Sequence, residues 1–210
     1  GEFRKIINGI PDWVYEEEFA TNCSFDFSAD SKVIAYIKYD ESEVMMYDMP
    51  MYNGGQSKEY FDFSKPYSFK YPVAGADNAK VSVHSFDIKS KVTRQLNVNI
   101  PEEGYIPRIK FTKDPNMLAV LTLNRHQSVL EIQAVNPLSG ISKTILREES
   151  DTYLNEQTYS GIEFLDNHFV FQSERSGYNQ LYLYNLAGEL IRPITKGNYE
   201  VKKFYGWDSK

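Results

Sequence analysis

Cysteine is all but missing from this 210-residue chain. Cys23 stands alone, so no intrachain disulfide can form and no set of thiolates exists for a metal. Clusters of basic residues are missing too. The formal net charge is −6 with lysine and arginine scattered, which argues against nucleic acid or an anionic membrane surface as partner. No apolar run approaches the ~18–20 residues that a membrane-spanning helix needs. Several catalytic signatures are also lacking: there is no Gly-x-Ser-x-Gly elbow, no Gly-x-x-x-x-Gly-Lys-Ser/Thr phosphate loop and no His-Glu-x-x-His pair. His84, His126 and His168 lie far apart, in or beside expected strands, without a serine and aspartate pattern around them, and read as strand or turn residues. No catalytic residue, metal or cofactor is expected within the chain. Asn22-Cys23-Ser24 fits a glycosylation sequon, which matters only in a eukaryotic secretory setting.

Aromatic residues are plentiful. With 41% hydrophobic and 25% charged residues the chain can bury a real core, and 16 tyrosines and 13 phenylalanines suit strands better than helices. A weak repeat organises them. Phe27-Ser28-Ala29-Asp30, Phe111-Thr112-Lys113-Asp114, Phe164-Leu165-Asp166-Asn167 and Tyr205-Gly206-Trp207-Asp208 each place an aromatic before a polar turn containing Asp. The 41-residue spacing from Phe164 to Tyr205 falls in the period of propeller blades, and the longer earlier spacings require insertions. Apolar strands follow each turn: Val33–Lys38, Met117–Leu123 and His168–Gln172. Third strands are expected at Lys80–Ile88, Val129–Val135 and Gln180–Asn185, and fourth strands at Val92–Asn97, Ser142–Arg147 and Glu189–Pro193. No amphipathic helix longer than one short turn is expected.

The predicted fold is all-β, a β-propeller fragment of four-stranded antiparallel blades without a hydrolase domain. Residues 1–7 read as the last strand of a preceding blade and 8–22 as an acidic segment. Residues 23–98 read as a blade with an insertion at 43–71, 105–148 and 161–194 as further blades, and 199–210 as the start of the next. Strands at both ends suggest an excerpt of a larger protein. The insertion carries four methionines and eight aromatics, and either folds back on its own blade or packs on another surface.

The most informative stretch is Asn8-Gly9-Ile10-Pro11-Asp12-Trp13-Val14-Tyr15-Glu16-Glu17-Glu18-Phe19. Asp12 after Pro11 can cap a short helical turn, with Trp13 and Phe19 as apolar anchors, and early acids suit the positive end of that turn. Adjacent residues on such a turn point about 100° apart, so two neighbouring glutamates can close on one small cation.

This string resembles, nearly residue for residue, the segment of the dipeptidyl peptidase IV family that carries its paired glutamates. Tyr71-Pro72-Val73-Ala74-Gly75-Ala76-Asp77-Asn78 is similar to that family's Tyr-Pro-x-Ala-Gly-Ala-x-Asn turn, with weaker matches at Ser24–Asp40, Leu123–Gln127, Ser173–Tyr178 and Ile194–Val201. Residues 148–160 match poorly. The resemblance implies that Glu17 and Glu18 bind the free N-terminal ammonium of a peptide substrate, flanked by Glu16 and supported by Asp12, Trp13 and Tyr15. It implies a non-catalytic propeller part of a serine exopeptidase that releases N-terminal dipeptides, typically after Pro or Ala. The catalytic serine, aspartate and histidine would belong to a C-terminal α/β-hydrolase domain. A homodimer is implied, with the 43–71 insertion as its arm. A single cysteine fits poorly with the disulfide-rich animal enzymes, so the expectation is a periplasmic or cell-surface bacterial homologue. A related tripeptidyl peptidase and a partner-binding propeller without an active hydrolase are the alternatives. If the glutamate pair is buried without its cation, one of the two acids should hold its proton more tightly.

Overall fold

The structure, a computed structural model, describes residues 5–52 and 65–208. Three antiparallel sheets succeed one another along the chain, each one blade of a propeller. The first uses β1 (Ile6–Asn8), β2 (Phe25–Phe27) and β3 (Val33–Asp40). A hairpin of β4 (Met46–Met51) and β5 (Lys65–Lys70) follows, before β6 (Lys80–Asp87) and β7 (Val92–Gln95) complete the blade. The second blade is a meander of β8 (Tyr105–Phe111), β9 (Leu118–Leu123), β10 (Val129–Val135) and β11 (Ser142–Glu149). The third consists of β12 (Glu163–Phe164), β13 (His168–Ser173), β14 (Gln180–Asn185) and β15 (Leu190–Pro193). Among the described residues two short helices interrupt the strands, α1 (Trp13–Glu18) and α2 (Glu156–Ser160).

Side-chain alternation explains which face of each strand is buried. Along β3 every second residue (Val33, Ala35, Ile37, Tyr39) is buried and its neighbours are not, as period-2 geometry requires of a strand with one core face. Strand β9 is buried at every position, the pattern of a strand covered on both faces. The outermost strands β7 and β15 are exposed throughout. The repeated aromatic-then-Asp motif closes the first hairpin of each blade: Phe27, Phe111 and Phe164 are the last residues of β2, β8 and β12. In two of the turns an aspartate caps backbone amides, with Asp30 accepting from Lys32 N–H (3.2 Å) and Asp114 from Asn116 N–H (2.9 Å).

Several expectations need correction. Residues 6–8 do not close a preceding blade. They pair antiparallel with Lys38–Asp40 of β3, collinear with β2, which pairs with Ile34–Tyr36 of the same strand. Together β1 and β2 form one interrupted inner strand. Val201–Tyr205 is no strand: Val201 N–H donates to the Asn179 carbonyl (2.8 Å), but among the described residues no ladder continues from it. Helix α2 was not anticipated. Of the insertion, Tyr60, Phe61 and Phe63 lie outside the described residues. The β4–β5 hairpin stands apart as a two-stranded sheet with Met46, Met49, Met51 and Tyr67 exposed, while Tyr71 at its base packs back on Trp13 (ring centroids 4.3 Å).

Candidate functional site

Residues 9–24 leave the inner strand between β1 and β2 and return to it at the same rung. Gly9 N–H donates to the Ile37 carbonyl (2.9 Å), Ile37 N–H to the Ser24 carbonyl (2.8 Å), and Ser24 N–H to the Gly9 carbonyl (3.0 Å). These three bonds close the neck of a loop. Gly9 has φ +73, where an L side chain is strained, and a Cβ there would meet the Phe25 ring at 3.3 Å. The chain can turn out of the ladder here because the residue is glycine.

The loop carries α1. The Asp12 carboxylate accepts from Tyr15 N–H (3.0 Å), making Asp12 the N-cap that the Pro-Asp pair predicts. Burial pushes the Asp12 carboxyl up to about 6, against the lowering effect of the Tyr15 and Val14 amides. Glu41, also buried, is pushed up to about 7 by burial and then by nearby Asp12, with Lys70 acting the other way. Tyr15 fixes the helix from beneath. It is 1% exposed, its hydroxyl accepts from Ile106 N–H on β8 (2.9 Å), and its ring packs edge-on against Tyr39 (4.9 Å between centroids). Phe19 is fully buried against Tyr105 (5.2 Å), and Tyr39 in turn hydrogen-bonds Ser24 (2.6 Å). Tyr15 and Phe19 therefore both reach across to the second blade.

Glu16, Glu17 and Glu18 are all exposed. The glutamate pair is thus not buried in this chain, and the buried acids beside α1 are Asp12 and Glu41. Only Glu16 lies in the first turn, so Glu17 and Glu18 occupy the end of the helix where its dipole is negative. No basic residue sits in that last turn, and among the described residues none of the three glutamates has an ion-pair or hydrogen-bond partner. Acids at the seam between the second and third blades are paired, as Glu156 with Arg108 (3.0 Å) and Glu163 with Lys110 (3.1 Å) show, and Glu131 pairs with Arg147 (2.7 Å) within the second blade. Such an arrangement leaves uncompensated negative charge on a rigidly held turn and can take up a small cation by charge-assisted hydrogen bonds. An acid-rich cleft of about 720 Å³ lies elsewhere, lined by Asp40, Glu43, Asp77, Glu102 and Glu103, and does not include the glutamates of α1.

Two groups of residues around α1 escape a reading of the sequence. Arg108 on β8 donates to the Phe19 carbonyl at the end of α1 (2.6 Å), to Glu156 (3.0 Å) and to Ser160 (3.2 Å) on α2. Tyr159 of α2 lies fully buried beside them. The available signals were the absence of a basic residue at the end of α1, which asks for a cation from elsewhere, and Asn155-Glu156, a cap-plus-acid pattern that starts helices.

The sequence profile described as the dipeptidyl peptidase IV (DPP IV) N-terminal region matches residues 1–210. The chain is 30% identical over 213 residues to a dipeptidyl peptidase 4 of Trichophyton rubrum, covering 98% of this chain and 27% of that protein. It is likewise 30% identical over 211 residues to one of Arthroderma otae, at 97% and 27% coverage. The crystal structure of Porphyromonas gingivalis dipeptidyl peptidase 4 superimposes with a TM-score of 0.92 at 37% identity, over 100% of this chain and 29% of that one. The chain spans little more than a quarter of the length of these relatives.

Proposed function

The chain belongs to the family of dipeptidyl peptidase IV N-terminal regions, and on that premise we propose that it is the substrate-gripping part of a peptidase releasing N-terminal dipeptides. In this reading Glu17 and Glu18 bind the free α-ammonium of a peptide. The observation that carries it is the pair of exposed, unpartnered carboxylates at the negative end of a helix that Asp12, Tyr15 and Phe19 hold firmly. An α-amino group with a pKa near 8 is mostly protonated at neutral pH. Two converging carboxylates hold it by charge-assisted hydrogen bonds, stronger than neutral ones. Fixing that end sets how far the peptide reaches towards a nucleophile in another domain, so the glutamates act as a ruler: free N-termini are accepted, and blocked ones rejected.

Replacing Glu17 or Glu18 by Ala in the full-length protein is expected to cost roughly 2–5 kcal/mol in kcat/KM, the scale for truncating one member of a charge pair that substrate buries. The assay is hydrolysis of a free-amine dipeptidyl chromogenic substrate, run beside a tripeptidyl one. Unchanged turnover in both variants refutes the assignment, and a preference for the tripeptidyl substrate moves the ruler by one residue. A second reading concerns assembly. The β4–β5 hairpin exposes Met46, Met49, Met51 and Tyr67 outside every blade, which favours a homodimer through the 43–71 insertion. Sedimentation of the full-length protein with Met49 and Tyr67 changed to Asp should show monomers, and an unchanged dimer counts against it.

A further inference from the structure

Helix α1 ends in a way its own sequence cannot support. Its last turn is acidic, with no local cation, and the chain then turns sharply through Ala20 at φ +47 while Thr21 N–H returns to the Tyr15 carbonyl (3.2 Å). The Phe19 carbonyl at this negative end needs a donor. It receives one from 89 residues further along the chain, Arg108 Nη2 at 2.6 Å. The same guanidinium binds Thr21 Oγ1 and the Pro107 carbonyl (2.8 Å) on one side and Glu156 and Ser160 of α2 on the other. Both of its terminal nitrogens are engaged in these bonds. Tyr159 of α2 feels the same charges. It is fully buried with no hydrogen-bond partner for its hydroxyl, whose proton is held by burial, then by Glu156, with Arg108 acting the other way and Glu18 adding to the hold. Glu18 is therefore within electrostatic reach of Tyr159 on α2.

We infer that Arg108 is a positioning residue for the paired glutamates, a latch between β8 and α2 that fixes the end of α1 and with it the direction of Glu17 and Glu18. This rests on the amine-binding reading above. The fork divides its contacts, with Nη1 serving Thr21 and the Pro107 carbonyl and Nη2 serving the Phe19 carbonyl, Glu156 and Ser160. A lysine, with one nitrogen and three N–H donors, cannot reach all five acceptors at once. The latch joins the second blade to the segment before the third, so the aim of the glutamates depends on the seam between blades rather than on the loop alone.

The test uses the full-length enzyme with Arg108→Lys, Arg108→Ala, Glu156→Gln and, as control, Glu17→Ala. Each is assayed for KM and kcat on a free-amine dipeptidyl chromogenic substrate, and for the labelling rate of the active serine by a small fluorophosphonate, which needs no amine site. Arg108→Lys and Arg108→Ala should raise KM roughly ten- to a hundredfold, the scale of a displacement of about 1 Å in a positioned group, with labelling unchanged. Glu156→Gln should shift KM in the same direction by a smaller factor. If KM in the Arg108 variants and Glu156→Gln stays within about twofold of the parent while Glu17→Ala loses activity, the latch is refuted and the amine reading stands. If Glu17→Ala itself is unchanged, the amine reading fails. Should Arg108→Ala also lose labelling, a sign of misfolding, Arg108→Lys and Glu156→Gln decide: raised KM with normal labelling supports the latch, and unchanged KM overturns it.

Discussion

Helices α1 and α2 lie on either side of Arg108, each little more than one turn long and each capped by an Asx side chain, Asp12 and Asn155. They treat the helix dipole in opposite ways. In α2 the one acid, Glu156, stands in the first turn, where negative charge is favoured, and is paired with Arg108. In α1 two of three acids stand in the last turn, exposed and without partners. Local rules that agree with one another mark structure, and a rule broken without local compensation marks a place held for another purpose. By this comparison α2 is a support and α1 the part it supports.

The largest expected effect sharpens the difference between the two caps. Asp12 is 6% exposed and its carboxyl is raised to about 6 from an ordinary 3.8, so the folded state holds a proton that the unfolded state releases. The sign follows: this contribution to stability is full below pH ~3.8 and is lost as pH rises through about 6, amounting to ~3 kcal/mol. Asp12→Asn keeps an accepting oxygen for the Tyr15 amide and should flatten this part of the stability profile, read as Tm at intervals from pH 4 to pH 7. Glu41, raised to about 7, leaves a shallower dependence of the same sign in that variant. A profile identical to the parent's would mean Asp12 is not the buried acid described.

Next comes the neck of the loop. Gly9→Ala places a Cβ at φ +73 and against the Phe25 ring, with an expected cost of roughly 1–3 kcal/mol, measured as a lower Tm. A neutral result would break the claim that α1 is anchored by the ladder at Ile37. Smaller again is the cap of α2. Asn155→Ala removes the acceptor of Gln157 N–H (3.1 Å) and should cost about 1 kcal/mol at every pH, because no buried charge is involved.

What the sequence made legible follows the distance over which each feature is determined. The turn at Asp12, the hairpins after Phe27, Phe111 and Phe164, and the alternation of β3 depend on a few adjacent residues, and all could be read directly. The pairing of β1 with β3 could not, because nothing in Ile6-Ile7-Asn8 distinguishes an inner strand broken by a loop from the last strand of another blade. That choice is made at Ile37, which bonds both ends of the loop. Arg108 escaped for the same reason: its partners Phe19 and Glu156 are 89 and 48 residues away. Whether the glutamates are buried was left open by the sequence and is decided by the aromatics beside them, Trp13 and Phe19, which turn inwards and leave the carboxylates outside.

The smallest stability effect expected separates the two helices most sharply. Removing a carboxylate from the negative end of a helix relieves repulsion worth about 0.3–1 kcal/mol at low ionic strength. Glu17→Gln and Glu18→Gln should therefore each raise Tm slightly, and added salt should shrink the gain by screening. Glu156→Gln should lower Tm, since its acid sits at the favourable end and is paired at 3.0 Å. Opposite signs from the same chemical change, in helices sharing one arginine, cannot come from a generic preference for fewer charges. If the stabilised glutamate variants also lose turnover of a free-amine peptide, charge at the end of α1 is retained at a cost to the fold because binding needs it. If Glu17→Gln and Glu18→Gln instead destabilise the protein, the acids are already compensated, and α1 is no different in kind from α2.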